Sequence, residues 1–182
     1  MTCIVGIVSD KIWIGGDSAA SGDGTVILRK DEKVFKRDQF LYGYAGSFRL
    51  GQLLRYKFNP PTKRSKRQDI YEYMVSEWMD SLRKCLKDSG YTKILDENHE
   101  EIEASFLVGY KGRLFIVDED LNVGETLHSY IAIGSGEPYA LGSLNTTDKI
   151  KNMDPEKRIQ LALEAAAEMS TGVRPPFHIL SI

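Results

Sequence analysis

The sequence opens with Met1-Thr-Cys-Ile-Val-Gly-Ile-Val-Ser-Asp-Lys-Ile-Trp-Ile-Gly-Gly-Asp17, and the rest of the chain is interpreted outward from this stretch. Residues 3–8 and 11–16 are apolar runs rich in β-branched side chains, and the polar pair between them has turn chemistry, so a β-hairpin is predicted. Thr2, a small hydroxyl residue, directly follows the first methionine, and a lone acid, Asp17, ends the second run. We therefore expect Thr2 to become the N-terminal residue.

Composition limits the protein to one ordinary globular domain, residues 1–182, because 182 residues are enough for one substantial core and too few for two. The net charge is -2, so no overall field favours nucleic acid or an anionic membrane surface. No apolar run approaches the roughly 20 residues of a membrane helix, and the N-terminus lacks the features of a signal peptide. We therefore expect a cytoplasmic protein, with Cys3 and Cys85 as reduced thiols.

The first half of the chain changes from strand to helix periodicity. After a glycine-rich loop, three further short strands are predicted, which with the first hairpin would form one five-stranded antiparallel sheet: residues 25–28, 33–37 and 40–45. Gly46-Ser47 then begins a helix, and a longer helix is predicted over residues 68–88, with Ser65 and Gln68 at the spacing of a capping box.

The second half begins with residues 91–103, which are polar and acidic and predict a surface loop. Strands, two helices and a last strand follow, over residues 104–110, 113–118, 128–133, 138–144, 155–170 and 177–182. Pairs of helices between antiparallel hairpins favour two stacked sheets, each with a helical layer outside it. The predicted fold is therefore α+β, a four-layer αββα sandwich of two antiparallel sheets.

Several short motifs occur one after another along nearly the whole chain. They are Thr2-Cys-Ile-Val-Gly-Ile, Ile14-Gly-Gly-Asp17, Ser21, Lys33-Val34, Gly43-Tyr-Ala-Gly46 and Ala132-Ile-Gly-Ser-Gly136. Together they resemble the proteasome β-type family of N-terminal nucleophile hydrolases, and most of all its bacterial peptidase subunit, which works with an ATP-dependent unfoldase. The resemblance implies the fold of those hydrolases and a threonine endopeptidase.

Thr2 has the chemistry that this activity requires. Removal of Met1 would leave a free threonine amine, whose ordinary pKa of about 7.7 to 8.0 leaves much of it neutral near pH 7.5. The neutral amine could then accept the proton of its own hydroxyl, so no histidine is needed. Taken alone, a threonine at position 2 is better explained by a frayed terminus.

The resemblance assigns roles to four further catalytic residues. Lys33 would lie beside Thr2 and favour its alkoxide, and Asp17 would hold Lys33 by a charge-assisted hydrogen bond. Gly46 would donate its N–H to an oxyanion, and Ser135 would hydrogen-bond the threonine amine. The residues alone also allow a solvated surface ion pair at Lys33, a simple turn at Gly46 and a plain loop at Ser135.

Substrate and ion contacts are also implied by the resemblance. Substrate would pair with the main chain around Ala20, Ser21 and Ser47, where Ser47 replaces a second glycine usual after Gly46. No cofactor is required, but Na⁺ or K⁺ could bind three backbone carbonyls, those of Ala167, Ser170 and Val173. Arg174-Pro-Pro176 departs from the bacterial pattern at this place.

We therefore expect an enzyme that cleaves unfolded polypeptide through an acyl-enzyme, assembled as a homo-oligomeric ring or double ring. The chain has no Walker or GxGxxG pattern, so any ATP requirement would lie in a separate unfoldase. Two alternatives remain: a non-catalytic structural subunit that keeps Met1, and an N-terminal nucleophile amidase acting on a small molecule. The basic run at residues 63–67 lacks interleaved aromatics and favours a solvated loop or docking edge over nucleic acid.

Overall fold

The computed structural model describes residues 1–22, 25–65, 67–96 and 99–182. The strands are β1 (Ile4–Val8), β2 (Ile12–Gly16), β3 (Ala19–Gly22), β4 (Thr25–Leu28), β5 (Val34–Arg37), β6 (Phe40–Gly46), β7 (Lys93–Asp96), β8 (His99–Glu101), β9 (Ala104–Tyr110), β10 (Arg113–Val117), β11 (Val123–Gly124), β12 (Tyr130–Ile133) and β13 (His178–Ser181). The helices are α1 (Phe48–Tyr56), α2 (Ile70–Tyr73), α3 (Met79–Lys87), α4 (Glu137–Thr147) and α5 (Pro155–Met169). A π-helical stretch, Met74–Trp78, joins α2 to α3.

Two antiparallel sheets form the centre of the molecule. The first has the order β12-β1-β2-β13, and the second has the order β11-β10-β9-β6-β5. Helices α4 and α5 cover the outer face of the first sheet, and α1, α2 and α3 cover the outer face of the second. The predicted α+β fold, a four-layer αββα sandwich, is confirmed.

Both faces of each central strand are buried. Because successive side chains of a strand point to opposite faces, one set packs against the other sheet and the alternate set packs against the helices. In β6, Leu41 and Ala45 face the other sheet, whereas Tyr42 and Tyr44 pack against the helices on the outside. Gly43 lies between them because a Cβ there would come within 2.7 Å of Ile14 in the facing sheet. The ends of β1, β2 and β6 are thereby held in one fixed relation, which positions the site described below.

The prediction of one five-stranded N-terminal sheet is wrong. β1 and β2 belong to the first sheet and β5 and β6 to the second, while β3 and β4 form a separate two-stranded sheet. A continuous apolar run indicates that both faces of a strand are covered, but it does not show which strands are neighbours. β1 pairs with β12, whose residues lie far along the chain, through Ile4 and Ile133.

Two local predictions also need correction. Residues 91–103 were expected to form a loop, but β7 and β8 pair there, with Lys93 opposite Glu101. Opposite charges across the pair allow a hairpin in a polar sequence. The expected capping box of Ser65 and Gln68 is wrong as well, because the carboxylate of Asp69 caps α2 by accepting from two backbone N–H groups.

Other helix signals were correct. Ser47 caps α1, and Asp154 caps α5 with Pro155 at its first turn. Among the residues that the structure describes, no helix is long and apolar enough to cross a membrane.

Candidate active site

Thr2 and Lys33 come together where β1 and β5 begin. The Nζ of Lys33 donates a hydrogen bond of 2.9 Å to Oγ1 of Thr2, and both residues are almost completely buried. Thr2 stands two residues before β1 of the first sheet, and Lys33 stands one residue before β5 of the second sheet. The contact therefore joins the two sheets of the sandwich.

Asp17, directly after β2, holds the lysine from the other side. Its Oδ1 accepts from Lys33 Nζ at 2.8 Å and from the backbone N–H of Cys3 at 3.0 Å. Its Oδ2 accepts from the N–H groups of Ala19 at 2.9 Å and Arg174 at 3.4 Å. A fully buried carboxylate with this many donors is satisfied and fixed in orientation.

Burial has different consequences for the two titratable groups nearest Thr2. It lowers the pKa of the Lys33 ammonium, and the nearby carboxylate of Asp17 opposes that change by favouring the charged form. For Cys3, burial and then the charge of Asp17 raise the pKa of the thiol to about 12. The thiol is therefore neutral at physiological pH, which leaves the hydroxyl of Thr2 as the nucleophile to consider.

The loop after β12 wraps around the backbone of Thr2. Ser135 Oγ accepts from the N–H of Thr2 at 3.1 Å and donates to its carbonyl at 3.3 Å. The N–H of Gly136 donates to the same carbonyl at 3.1 Å. Gly134 has a φ of +90°, and a Cβ there would lie 2.5 Å from that carbonyl oxygen, so glycine is required for the approach.

A groove of about 340 Å³ runs past Thr2. Its lining includes Gly46, at the end of β6, and Phe48, in the first turn of α1. Gly46 has a φ of +101°, which favours glycine, and a Cβ there would come within 2.7 Å of the carbonyl of Glu103. The strand-to-helix turn thus brings the backbone of Gly46 to the same groove as the Thr2 hydroxyl.

The three residues expected to bind substrate are not equivalent. Ala20 and Ser21 lie in β3 and line the groove. β3 pairs with β4 along one edge, and its sheet contains no other strand among the described residues. Ser47 is outside the lining of this groove, and its Oγ accepts from the N–H of Arg49 as the cap of α1.

Met1 lies in the groove. Its amino group donates to Ser21 Oγ at 2.7 Å, and its carbonyl accepts from Thr2 Oγ1 at 2.7 Å. Its side chain packs against Gly172 and accepts a weak hydrogen bond at its sulfur from Thr171. While Met1 is present, the nitrogen of Thr2 is a peptide N–H that donates to Ser135 and is not a base.

Comparison with known proteins places this geometry in a family. The model of the family described as "Proteasome subunit" matches residues 1–173. The chain belongs to the proteasome family. The match contains every catalytic residue expected from the sequence and both sheets up to the last strand.

Individual proteins with similar sequences or structures are consistent with this family. The ATP-dependent protease subunit HslV of Sulfurovum sp. (strain NBC37-1) is 28% identical, over 100% of this chain and 98% of that protein. The structure of Thiobacillus denitrificans BPH in complex with epoxomicin has a TM-score of 0.80 and 21% identity, over 99% of this chain and 97% of that one. Eukaryotic HslV from Trypanosoma brucei has a TM-score of 0.70 and 20% identity, over 98% of each chain. The two structures show that the proteasome fold is shared.

Two residues in contact with this proteasome-family site were not among the sequence candidates. Phe48 was not singled out in the sequence, although its place directly after the Gly46-Ser47 turn puts it beside the groove. Arg174 was noted only as a departure, yet its guanidinium donates to three carbonyls, those of Ala167, Ser170 and Val173. These are the carbonyls that the sequence resemblance suggested for a monovalent cation.

Proposed function

We propose that this chain is the threonine-type endopeptidase subunit of a self-compartmentalising proteasome-like complex. The contact between Lys33 Nζ and Thr2 Oγ1 carries the proposal, because a buried cation lies against the hydroxyl that would attack. Membership of the proteasome family and the relatives named as ATP-dependent protease subunits support hydrolysis of peptide bonds as the reaction.

The first requirement is removal of Met1. It converts the Thr2 nitrogen into an α-amine with an ordinary pKa of about 7.7 to 8.0, which can accept a proton near neutral pH. Ser135 Oγ, already 3.1 Å from that nitrogen, then donates to it or accepts from it. The positive charge of Lys33 nearby favours the neutral, basic form of the amine.

The attack then uses the groups that surround the hydroxyl of Thr2. Oγ1 of Thr2 passes its proton to the amine and bonds to the substrate carbonyl carbon, while Lys33 stabilises the developing alkoxide and the N–H of Gly46 receives the oxyanion. The leaving amine takes the proton, and an ester with Thr2 remains. Water activated by the same amine hydrolyses that ester and restores the hydroxyl.

Substrate recognition is proposed to use main chain more than sequence. Residues of β3 line the groove, and among the described residues β3 pairs with β4 alone, so an extended polypeptide could add along its other edge as a further strand. An extended substrate must be unfolded first. The sequence contains no nucleotide motif, so a separate ATP-dependent unfoldase would supply that step.

Assembly into a homo-oligomeric ring or double ring would keep such a site away from folded proteins. The surface exposes large apolar side chains outside the groove, including Tyr56 at 76% and Met169 at 64%, which a neighbouring subunit could cover. Light scattering at micromolar concentration should give a mass many times the 20.5 kDa of the chain. A monomer under those conditions would argue against the assembly.

Thr2→Ala tests the reaction. Alanine also permits removal of Met1, so intact-mass analysis should show the same processed N-terminus while cleavage of fluorogenic peptides is lost. Thr2→Ser is the matched control, because it keeps a hydroxyl and should keep turnover within about tenfold. Undiminished turnover by Thr2→Ala would rule out this mechanism.

A non-catalytic subunit that retains Met1 is the second candidate. The position of Met1 favours it, since the amino group and the sulfur both have partners beside the groove. Intact mass together with the peptide assay separates the two: this candidate requires a retained methionine and no turnover. Turnover of small amides without cleavage of peptides would instead indicate an amidase.

A further inference from the structure

The C-terminal end of α5 borders the active site and has an unusual cap. The last carbonyls of a helix lack partners within it, and the helix dipole makes that end a favourable place for a cation. Helix α5 has no basic residue in its last turn, and its main chain leaves at Ser170 into a turn that runs to Arg174. The cation that reaches this end comes from beyond the helix.

That cation is the guanidinium of Arg174. Its Nη1 lies 3.2 Å from the carbonyl oxygen of Ala167, 2.8 Å from that of Ser170 and 2.6 Å from that of Val173. Three carbonyl oxygens around one positively charged nitrogen are also the ligands that a hard monovalent cation would use. An ion bound among these oxygens would have to occupy the space of Nη1. The three carbonyls therefore cannot bind an ion while the arginine side chain is in place.

We propose that the side chain of Arg174 permanently replaces a bound monovalent cation at this turn, so that the protein needs neither Na⁺ nor K⁺ to hold its site together. The guanidinium is covalently part of the chain whose carbonyls it binds, so its positive charge is present at every salt concentration. An ion would be lost when its concentration falls below its dissociation constant.

The backbone of Arg174 connects this turn to the reacting groups. Its N–H donates to Asp17 Oδ2 at 3.4 Å, and its carbonyl accepts from the N–H of Ser18 at 3.0 Å. Asp17 Oδ1 in turn accepts from Lys33, which touches Thr2. Arg174 is thus a positioning residue, separated from the nucleophile by Asp17 and Lys33.

The same turn also forms a wall of the site. Thr171 and Arg174 line a space of about 540 Å³ beside Met1, and Gly172 packs against the methionine side chain. If the three carbonyls lost their shared donor, this wall would loosen together with the second oxygen of Asp17. The catalytic consequence rests on the proposed peptidase function, whereas the structural consequence does not.

Thermal unfolding measures the structural consequence. Wild type and Arg174→Ala are compared in NaCl, KCl and choline chloride at equal ionic strength, because choline is too large to enter between the carbonyls. The midpoint of wild type should be the same in all three salts. The midpoint of Arg174→Ala should fall by about 5 °C in choline and recover most of that loss in NaCl or KCl.

Two further variants sharpen the measurement. Arg174→Lys places an ammonium with three donors near the carbonyls and should behave in all three salts like wild type. Arg83→Ala removes an exposed arginine that pairs with Glu100 away from this turn, and it should show no preference among the cations. Folding of Arg174→Ala only when Na⁺ or K⁺ is present would also support the proposal.

Peptide hydrolysis measures the positioning role. In choline, Arg174→Ala should lose about tenfold in kcat with KM changed less than about threefold, and Na⁺ or K⁺ should restore kcat. Arg174→Lys should keep its kcat without added ion. If wild type hydrolyses no peptide, the peptidase proposal fails, but the unfolding midpoints still decide the role of Arg174.

Three results would overturn the inference. One is a wild-type midpoint that rises in NaCl or KCl relative to choline, which would mean that an ion binds beside the arginine. Another is an Arg174→Ala midpoint that is lowered equally in all salts. The third is an Arg174→Ala protein that folds in none of them, because the proposal requires a cation to substitute for the side chain.

Discussion

The two walls of the groove beside Thr2 have opposite physical character. One wall contains Thr2, and behind it Asp17 and Lys33 are 0% and 2% exposed and bonded to each other, with Asp17 also bonded to backbone N–H groups. On the other side, the hairpin of β3 and β4 is a two-stranded sheet, and Ile27 in it is 62% exposed. The buried wall has the rigidity that charge stabilisation requires, and the exposed wall is suited to recognising a substrate. Changes in the first should therefore abolish turnover, and changes in the second should alter KM.

Lys33→Met is expected to have the largest effect. It removes the cation beside Thr2 Oγ1, so kcat/KM should fall about a thousandfold. It also leaves the buried carboxylate of Asp17 without its charged partner, which should lower the free energy of unfolding by about 3 kcal/mol or more. Peptide hydrolysis and urea unfolding measure the two effects.

The double variant Asp17→Asn with Lys33→Met separates chemistry from stability. Removing both charges should recover much of the unfolding free energy, because no unpaired buried charge remains, while hydrolysis stays lost. Recovery of turnover together with stability would mean that Lys33 supports only the fold.

Gly46→Ala comes next. A φ of +101° and a Cβ within 2.7 Å of the Glu103 carbonyl make alanine strained here, at about 1 to 3 kcal/mol, and the displaced N–H should lower kcat about a hundredfold. Gly142→Ala is the matched control, since nothing lies within 4 Å of a Cβ at that helical position. It should be neutral or slightly stabilising. Equal kinetics for the two variants would remove Gly46 from the proposed oxyanion site.

The buried wall could be anticipated from the sequence because its members sit at element ends that the periodicity marks. Asp17 ends the second apolar run and Lys33 begins a strand, and the neighbouring Gly46, which is exposed, stands where a strand turns into a helix. When a strand is buried on both faces, a charged residue is accommodated only at its ends, so a charge at the border of an apolar run marks a strand end. The family resemblance then assigned the partners.

The exposed wall and the sheet order could not be anticipated in the same way. The sequence of β3, Ala19-Ala-Ser-Gly22, is short and rich in small residues, so it was interpreted as a loop, and its strand character depends on pairing with β4. β1 belongs to the first sheet because it pairs with β12, and β5 belongs to the second because its neighbour β6 pairs with β9. Both β12 and β9 come much later in the chain. Alternation of apolar residues contains no information about such distant partners.

Ile27→Ser should have the smallest effect and is the sharpest test of the exposed wall. The side chain lines the groove and is mostly exposed, so a bound polypeptide would cover only part of it. Loss of that apolar contact should raise KM about threefold with kcat unchanged. Ile150→Ser, at an isoleucine that is 48% exposed outside the groove lining, should change neither constant. Both variants should keep the wild-type assembly mass by light scattering. A fall in kcat at constant KM for Ile27→Ser would mean that the hairpin belongs with the buried wall, and that recognition and chemistry are not divided between the two sides of the groove.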